Sequence, residues 1–239
     1  MSLLPKNEPR EIKTDEKLRF YFYGVPMSGK TTLASQFPNA LMINTDGNFR
    51  QFTTPVVQLR DTVEQNGRIV ERTYAWENFK EVLTELEAKN NTFETIILDL
   101  VEDAYEFCRL YVLKEVLKVN HESDSGFGKG WKMVDSEFLD CMRRFFALDY
   151  KNIIIISHED KTSSVTKKNG EQISLIKANI RDAIANKLCG MVDVVARVTV
   201  DGDKRNLEFK CDSYVFGGGR VANTIIPLDY TELMNVCRK

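Results

Sequence analysis

The sequence predicts an α/β protein in which a central, mainly parallel sheet is flanked by helices and extended by C-terminal antiparallel strands. Two observations predict the sheet. FETIILDL (93–100) and NIIIIS (152–157) are apolar runs without polar alternation, as expected for parallel strands buried on both faces. Segments with helical spacing of apolar residues separate the strands, and such alternation is typical of a parallel sheet. A third observation, strict alternation around the turn 201–203, predicts the antiparallel extension.

The first half of the chain gives an ordered series of elements. Asn66-Gly67 is a strong short hairpin signal, and the residues on either side alternate. Apolar residues at 76, 79, 82, 83 and 86 predict a helix. The expected elements are strands at 18–23 and 40–44, a helix from 31 to about 37, the hairpin around 66–67, a helix over 76–89 and the strand at 93–100.

The second half continues the alternation and then changes to hairpins. We expect helices over 102–119, 131–148 and 179–188, the strand 152–157, a hairpin around 201–203, a flexible loop at FGGGR (216–220) and a terminal helix at 231–239. Residues 1–17 contain two prolines and alternating charges, so they predict a mobile N-terminal arm. Residues 18–239 then form one domain.

Composition excludes several classes of protein. The net charge of −2 argues against a surface that coats nucleic acid generally, although local basic patches remain compatible with it. The 5 cysteines include no C-x-x-C pair, and the 2 histidines do not provide a His-rich zinc site. No apolar run approaches the ~18 residues of a membrane span, and the N-terminus lacks the apolar core of a signal peptide. We therefore expect a cytoplasmic protein with reduced thiols.

The strongest functional signal is LRFYFYGVPMSGKT (18–31), an apolar strand that leads into Gly24-x-x-x-x-Gly29-Lys30-Thr31. This is the phosphate-binding loop pattern. The glycines let the backbone turn tightly so that successive N–H groups face phosphate oxygens. Lys30 carries a positive charge to the β- and γ-phosphates, Thr31 ligates Mg²⁺, and the following helix N-terminus adds partial positive charge.

The loop predicts a site for a nucleoside triphosphate such as ATP, with Mg²⁺. The expected nucleotide-binding residues of the loop are Gly24, Val25, Pro26, Met27, Ser28, Gly29, Lys30, Thr31 and Thr32. Asp99, at the tip of the buried run TIIL, is the expected second Mg²⁺ ligand, because a carboxylate there is poorly solvated unless a cation faces it. The alternative is that Asp99 caps the helix that begins near 102.

Hydrolysis requires a group that orients or deprotonates water near the γ-phosphate, and three acids compete for this role. They are Asp46, Glu102 and Asp103. We favour Asp46, because the strand 40–44 is expected beside the phosphate-loop strand and would place it across the γ-phosphate. The alternative for Asp46 is a turn residue before Gly47.

His158 follows the strand 152–157, where a neutral imidazole would sense the γ-phosphate and pass the signal to the next loop. The alternative is a hydrogen-bonded structural histidine. Ser157 and Glu159 are further polar candidates at the same strand tip.

The polar segment 160–172 contains Lys161, Lys167 and Lys168 and predicts contact with a nucleic-acid backbone. The alternative is a solvated loop. The segment has no aromatic residue, so base stacking would require others, such as those of 127–131.

Further candidates have weaker signals. Arg220 would reach a phosphate, or is simply solvated. Phe49, Phe52 and Tyr74 either flank an adenine or pack in the core.

The order of the segments resembles a known group of proteins. LRFYFYGVPMSGKTTLA, LMINTDGN, TIILDL, NIIIISHED and KLCGMVDVVARV, between about residues 18 and 220, resemble phage-encoded nucleotide-binding proteins with a RecA-type ATPase core. The group includes the fourth Sak class of single-strand annealing recombinases. The first segment is specific to P-loop NTPases at large, and the order of the others narrows the assignment.

The resemblance implies a RecA-like fold with ATP between the loop and Asp99. Asp46 matches a position that is often a catalytic Glu in the family, which implies hydrolysis that is slow or stimulated by DNA. Leu100 stands where the family often has Ser. The segment 160–172 occupies the place of the RecA-type DNA-binding loop. The implied function is phage DNA recombination: an oligomer that binds single-stranded DNA, promotes annealing or pairing, and cooperates with a single-strand-binding protein.

Two other functions fit part of the pattern. A small-molecule kinase would close an Arg-rich lid over the phosphates, but the segment 160–172 contains no Arg. A non-catalytic, ATP-dependent replication module, such as a helicase loader, fits the Asp at position 46 in place of Glu.

Overall fold

A computed structural model of the chain describes residues 7–8, 17–126, 128–160, 162, 164–166, 172–210, 215, 217–219, 221–222 and 224–237. The expected N-terminal arm, 1–17, lies outside these residues except for positions 7, 8 and 17. Lys17 forms an ion pair with the exposed Asp149 just before the first strand.

The described residues contain the following strands, in chain order. They are β1 Leu18–Gly24, β2 Ala40–Asn44, β3 Val56–Gln58, β4 Thr62–Asn66, β5 Ile69–Thr73, β6 Thr95–Asp99, β7 Asn152–Asp160, β8 Ser164–Thr166, β9 Gln172–Ser174, β10 Lys177–Ala178, β11 Val194–Asp201, β12 Lys204–Glu208, β13 Gly218–Gly219 and β14 Ile225–Pro227.

The helices occupy the segments between them. They are α1 Lys30–Ser35, α2 Ala75–Ala88, α3 Val101–Tyr111, α4 Lys129–Ala147, α5 Asp182–Cys189 and α6 Tyr230–Cys237. A π-helical turn, Val112–Val116, continues α3, and a 3₁₀ turn, Glu122–Ser125, precedes α4. Among the described helices, none has the length and apolar character needed to cross a membrane.

The main sheet has the strand order β14-β12-β11-β1-β7-β6-β2-β3. From β11 to β3 neighbouring strands are parallel, and β12 and β14 are added antiparallel. This confirms the predicted mainly parallel sheet with an antiparallel C-terminal extension. β4 and β5 form the predicted hairpin around Gly67 outside this sheet.

The phosphate-loop strand β1 lies inside the sheet because its aromatic residues are buried on both faces. Phe20 and Phe22 pack on one side, in a core with α1 and α6, whereas Tyr21 and Tyr23 pack on the other side, beneath α2 to α5. All four side chains are fully buried. Successive side chains of β1 therefore point into two separate cores, one on each face of the sheet. The sheet is the middle of three layers.

The sequence reasoning misplaced one strand. β2 was expected beside β1, but β7 and β6 lie between them. The two intervening strands are the most uniformly apolar segments of the chain, and a central position hides both of their faces from water. β3 was not predicted, since its three residues are too few to show a period.

Other details also differ from prediction. β7 continues past residue 157 to Asp160, because β10 pairs with its last residues; the helix predicted from 179 accordingly begins only at Asp182. The loop FGGGR was expected to be flexible, but Gly218 and Gly219 pair with β11. A Cβ on Gly219 would lie 2.3 Å from the carbonyl oxygen of Asp193, so glycine permits this close approach of two backbones.

Candidate nucleotide-binding site

The carboxyl ends of the parallel strands meet at one edge of the sheet. In the register of β1 and β7, Gly24 lies opposite His158, and in the register of β2 and β6, Asn44 lies opposite Asp99. The loops that follow these strands therefore begin at similar positions along the strand direction. Ligands of open α/β sheets bind at this edge.

A cavity of about 380 Å³ opens at this edge of the sheet. It brings together nine of the residues predicted from sequence to bind nucleotide, ligate metal or catalyse hydrolysis: Pro26, Met27, Gly29, Lys30, Thr31, Thr32, Asp46, Asp99 and His158. Its remaining lining residues are Asn48, Gln51, Phe52, Leu100 and Arg205.

The shape of the phosphate loop depends on its two glycines. Gly24 ends β1 against β11, and a Cβ there would lie 2.4 Å from the carbonyl oxygen of Val198. Gly29 has φ of 100°, and a Cβ there would lie 2.8 Å from Leu228 Cδ2. Among the predicted loop residues, Ser28 is fully buried. Gly24 and Val25 turn their carbonyl oxygens inward to Lys30.

Lys30 lies folded against the loop. Its Nζ donates hydrogen bonds to the carbonyl oxygens of Gly24, at 2.9 Å, and Val25, at 2.8 Å. The side chain is almost fully buried, and this burial lowers the pKa of Lys30, while the nearby Asp99 carboxylate opposes the shift. A desolvated ammonium group that only neutral oxygens accept from is stabilised when an anion binds beside it. Phosphate oxygens would provide that negative charge.

Asp99 and Thr31 face each other as the sequence predicted. Thr31 Oγ1 donates a hydrogen bond to Asp99 Oδ2 at 2.8 Å. Burial, together with the nearby Asp46, raises the pKa of Asp99 to about 6 despite this hydrogen bond. The N-cap residue of α3 is Leu100, so Asp99 does not have the capping role considered as the alternative. A hydroxyl and a buried carboxylate are hard oxygen ligands that fit Mg²⁺.

Replacing Asp99 by asparagine is expected to stabilise the nucleotide-free protein above pH 6. The folded-state pKa of Asp99 is above its ordinary 3.8. Protonated Asp99 therefore contributes to the free energy of unfolding, and this contribution is fully present below about pH 4. As the pH rises through 6 the contribution is lost, which lowers the free energy of unfolding by up to ~3 kcal/mol. Asparagine cannot ionise, so the variant should lack this loss. Thermal unfolding of both proteins from pH 4 to 8 measures it, and parallel curves would contradict the expectation.

Asp46 borders the cavity although β2 is not adjacent to β1. It lies two residues beyond the end of β2, and its Oδ1 accepts hydrogen bonds from Asn44 Nδ2 and the Asn48 backbone N–H, both at 2.9 Å. The side chain is exposed to the cavity opening. A carboxylate with this anchoring keeps a fixed direction and still meets water.

The other two candidate acids are engaged elsewhere. Glu102 Oε1 accepts the backbone N–H of His158 at 2.8 Å and lies 3.0 Å from its Nδ1. Asp103 Oδ2 accepts a hydrogen bond from Thr45 Oγ1 at 3.0 Å, and burial raises its pKa. Glu102 and Asp103 line a second, neighbouring cavity of about 780 Å³. Of the three acids, Asp46 borders the phosphate-loop cavity.

His158 occupies a different position from the one expected. It lies within β7, not after it, and its backbone carbonyl oxygen accepts a hydrogen bond from Asn179. Its side chain borders the cavity, held by Glu102. The adjacent candidates do not line the cavity: Ser157 is buried, and Glu159 pairs with Arg197.

The three aromatic candidates all pack against other apolar or aromatic side chains. Phe49 and Phe52 pack against the core that contains Phe20, and Phe52 also lines the cavity. The ring centres of Tyr74 and Tyr111 lie 6.0 Å apart.

Sequence reasoning missed Asn48, Gln51 and Arg205, which line the cavity. The first two lie in the loop between β2 and β3 and have no motif that marks them. Arg205 lies in β12, in the run KRN of a hairpin, where a basic residue usually points into solvent. The pairing of β11 with β1 brings the β11–β12 hairpin, and with it Arg205, to the phosphate loop.

The candidate DNA-binding residues Lys161, Lys167 and Lys168 lie outside the described residues, as do Arg220 and Phe127. The strands on either side of the predicted turn at 169–170, β8 and β9, pair as an antiparallel hairpin. Trp131 is half-buried, with the Arg181 guanidinium carbon 4.4 Å from the centre of its ring.

The sheet order, the loop that follows its inner strand and the acid at the tip of β6 define a P-loop NTPase domain of RecA-like fold. The chain belongs to the AAA domain family, whose model matches residues 16–221.

Comparison with solved structures finds several similar chains. The RadB recombinase has 13% identity and a TM-score of 0.43, covering 80% of this chain and 79% of that one. A prototypical ATPase of the type III secretion system of pathogenic bacteria has 12% identity and a TM-score of 0.44; the match covers 77% of this chain and 52% of that one. The flagellar accessory protein FlaH from Methanocaldococcus jannaschii has 10% identity and a TM-score of 0.39, covering 88% and 84%. Comparison with curated proteins gives no match.

Proposed function

We propose that this protein binds and hydrolyses ATP with Mg²⁺, and that it uses the nucleotide state to act on single-stranded DNA in phage recombination. The observation that carries the ATPase part is the convergence of Lys30, Thr31, Asp46 and Asp99 on one cavity at the phosphate loop.

The phosphate loop and β6 together supply the residues that bind the phosphates and the metal ion. The backbone N–H groups of the loop 24–32, apart from Pro26, which has none, and the Lys30 ammonium bind the phosphates. Thr31 and Asp99 would hold Mg²⁺, which neutralises charge on the phosphate oxygens when bound. The Thr31–Asp99 hydrogen bond already sets the two oxygen ligands side by side.

Asp46 has the role of orienting or deprotonating the attacking water. Its carboxylate is fixed by Asn44 and Asn48 and borders the same cavity. Because Asp is one methylene shorter than Glu, hydrolysis is slow in the absence of DNA. His158 senses the γ-phosphate, and Glu102 holds the imidazole through its contact with Nδ1.

The DNA part of the proposal rests on the family resemblance and on chain order. The lysines at 161, 167 and 168 follow β7 within ten residues of His158. The oligomer anneals or pairs strands together with a single-strand-binding protein, and the segment 160–172 contacts the DNA backbone.

ATPase measurements with and without single-stranded DNA, over a range of salt concentrations, test this function. We expect stimulation by DNA that falls steeply with salt, since backbone binding releases counterions. Replacing Lys161, Lys167 and Lys168 by alanine should abolish the stimulation.

A matched control removes the same charge at the other edge of the sheet. The control residues are Lys17 and Lys151, which precede β1 and β7, and Lys89, which follows α2. Each forms an exposed ion pair. The triple alanine variant at these positions should keep the stimulation. Equal loss in both triple variants would show a general charge effect and contradict the assignment of 160–172.

A second candidate is a module that binds ATP without turnover, such as a helicase loader. One observation favours it: Asp46 Oδ1 is already occupied by two donors, which limits its use as a base. Tight ATP binding without phosphate release, together with capture of a replicative helicase by the purified protein, would support this function over the first.

A further inference from the structure

Arg205 approaches the phosphate loop from the antiparallel extension of the sheet. It lies in β12, opposite Val200 of β11, and its carbonyl oxygen accepts the Leu228 N–H at 3.0 Å. The backbone of Arg205 is therefore fixed from both sides. No motif marks this residue, because it becomes part of the cavity only through strand pairing.

The side chain of Arg205 lies across Gly29. A Cβ built on Gly29 would lie 3.4 Å from Nη1 and 3.5 Å from Cδ of Arg205. The same side chain lines the cavity together with Lys30, Thr31 and Asp99. A guanidinium thus lies next to the loop that would wrap the phosphates.

The charge of Arg205 has no carboxylate partner within 4.0 Å in the part of the chain that the structure describes. Arg197, on the adjacent strand β11, is different, since it pairs with both Glu159 and Glu208. Arg205 is also exposed. Its donors are therefore available to an anion that enters the cavity.

We infer that Arg205 binds the phosphate tail of the nucleotide, as a second cation beside Lys30 supplied by the same chain. The inference rests on the proposed ATP binding and adds a phosphate-binding residue to it. The planar guanidinium matches phosphate oxygens with paired donors, which a lysine cannot do.

Titration calorimetry of the full chain with Mg²⁺-ATP and with inorganic tripolyphosphate tests the inference. Arg205→Ala should weaken the binding of both ligands by about tenfold or more, the usual size for a hydrogen bond to a charged group. Arg205→Lys should restore part of the affinity. Lys204→Ala is the matched control. Lys204 precedes Arg205 on β12 and carries the same charge but does not line the cavity, so the variant should bind both ligands as tightly as the wild type does.

The outcomes separate the inference from the function beneath it. If the wild type binds neither ligand, the proposed function fails. If the wild type binds both and Arg205→Ala binds them equally well, the inference alone is overturned. A loss for ATP with no loss for tripolyphosphate also overturns it, because Arg205 would then contact the base and not the phosphates.

Discussion

Replacing Lys30 by alanine is expected to weaken ATP binding strongly and to abolish measurable hydrolysis while the protein stays folded. The Lys30 ammonium is held by two carbonyl oxygens and is almost fully buried, so its position is set before any ligand arrives. Losing a desolvated charge that meets phosphate costs about 2–5 kcal/mol, or 30-fold to more than 1,000-fold in affinity. Calorimetry with Mg²⁺-ATP and a phosphate-release assay measure the two losses.

The stability of the same variant provides the control. Burial lowers the pKa of Lys30, which means that the charged form is desolvated in the nucleotide-free fold. Alanine removes that cost but also removes the donor to the Gly24 and Val25 carbonyl oxygens, so thermal unfolding without nucleotide should stay near the wild-type temperature. A Lys30→Ala protein that is folded and still binds ATP as tightly as the wild type would show that the loop is not the nucleotide site.

Local sequence was sufficient for most elements and for the centre of the site. The runs around 95–99 and 152–156 are apolar on both faces, and only a buried strand accommodates this. The spacing of Gly24, Gly29, Lys30 and Thr31 depends on contacts within the loop, so a short segment contains the whole signal. The hairpin around Gly67 followed from turn chemistry for the same reason.

Strand order was beyond local reasoning. Whether β2 lies beside β1 depends on which pairs of strands hide the most apolar surface, and that competition involves the whole chain. The error affected the argument for Asp46 but not its position in the cavity. Asp46 extends beyond β2, and the cavity reaches across the ends of β7 and β6 to meet it.

Arg205 shows the corresponding limit within the site. Its sequence neighbours, KRNLE, fit any exposed hairpin strand, and 175 residues separate it from Lys30. The contact with Gly29 exists because β12 pairs with β11 and β11 pairs with β1. The turn at 201–203 predicted the β11–β12 hairpin, but the long-range pairing of β11 with β1, which brings that hairpin to the loop, has no motif.

Replacing Asp46 by asparagine is expected to lower kcat for ATP hydrolysis by ~10²–10⁴-fold, the usual contribution of a general base, with little change in ATP affinity. The amide oxygen of asparagine can still accept the hydrogen bonds from Asn44 and Asn48, so the loop geometry is retained. What disappears is the basic oxygen at the cavity wall. Single-turnover phosphate release, compared with calorimetric ATP affinity, separates the two quantities.

Two further variants decide between the candidate acids. Asp46→Glu extends the carboxylate by one methylene toward the cavity and should hydrolyse ATP at least as fast as the wild type. Glu102→Gln should have a smaller effect on kcat, because Glu102 reaches the site only through its contacts with His158. If Asp46→Asn keeps the wild-type rate and Glu102→Gln loses it, Glu102 is the base, and Asp46 serves only to shape the turn after β2.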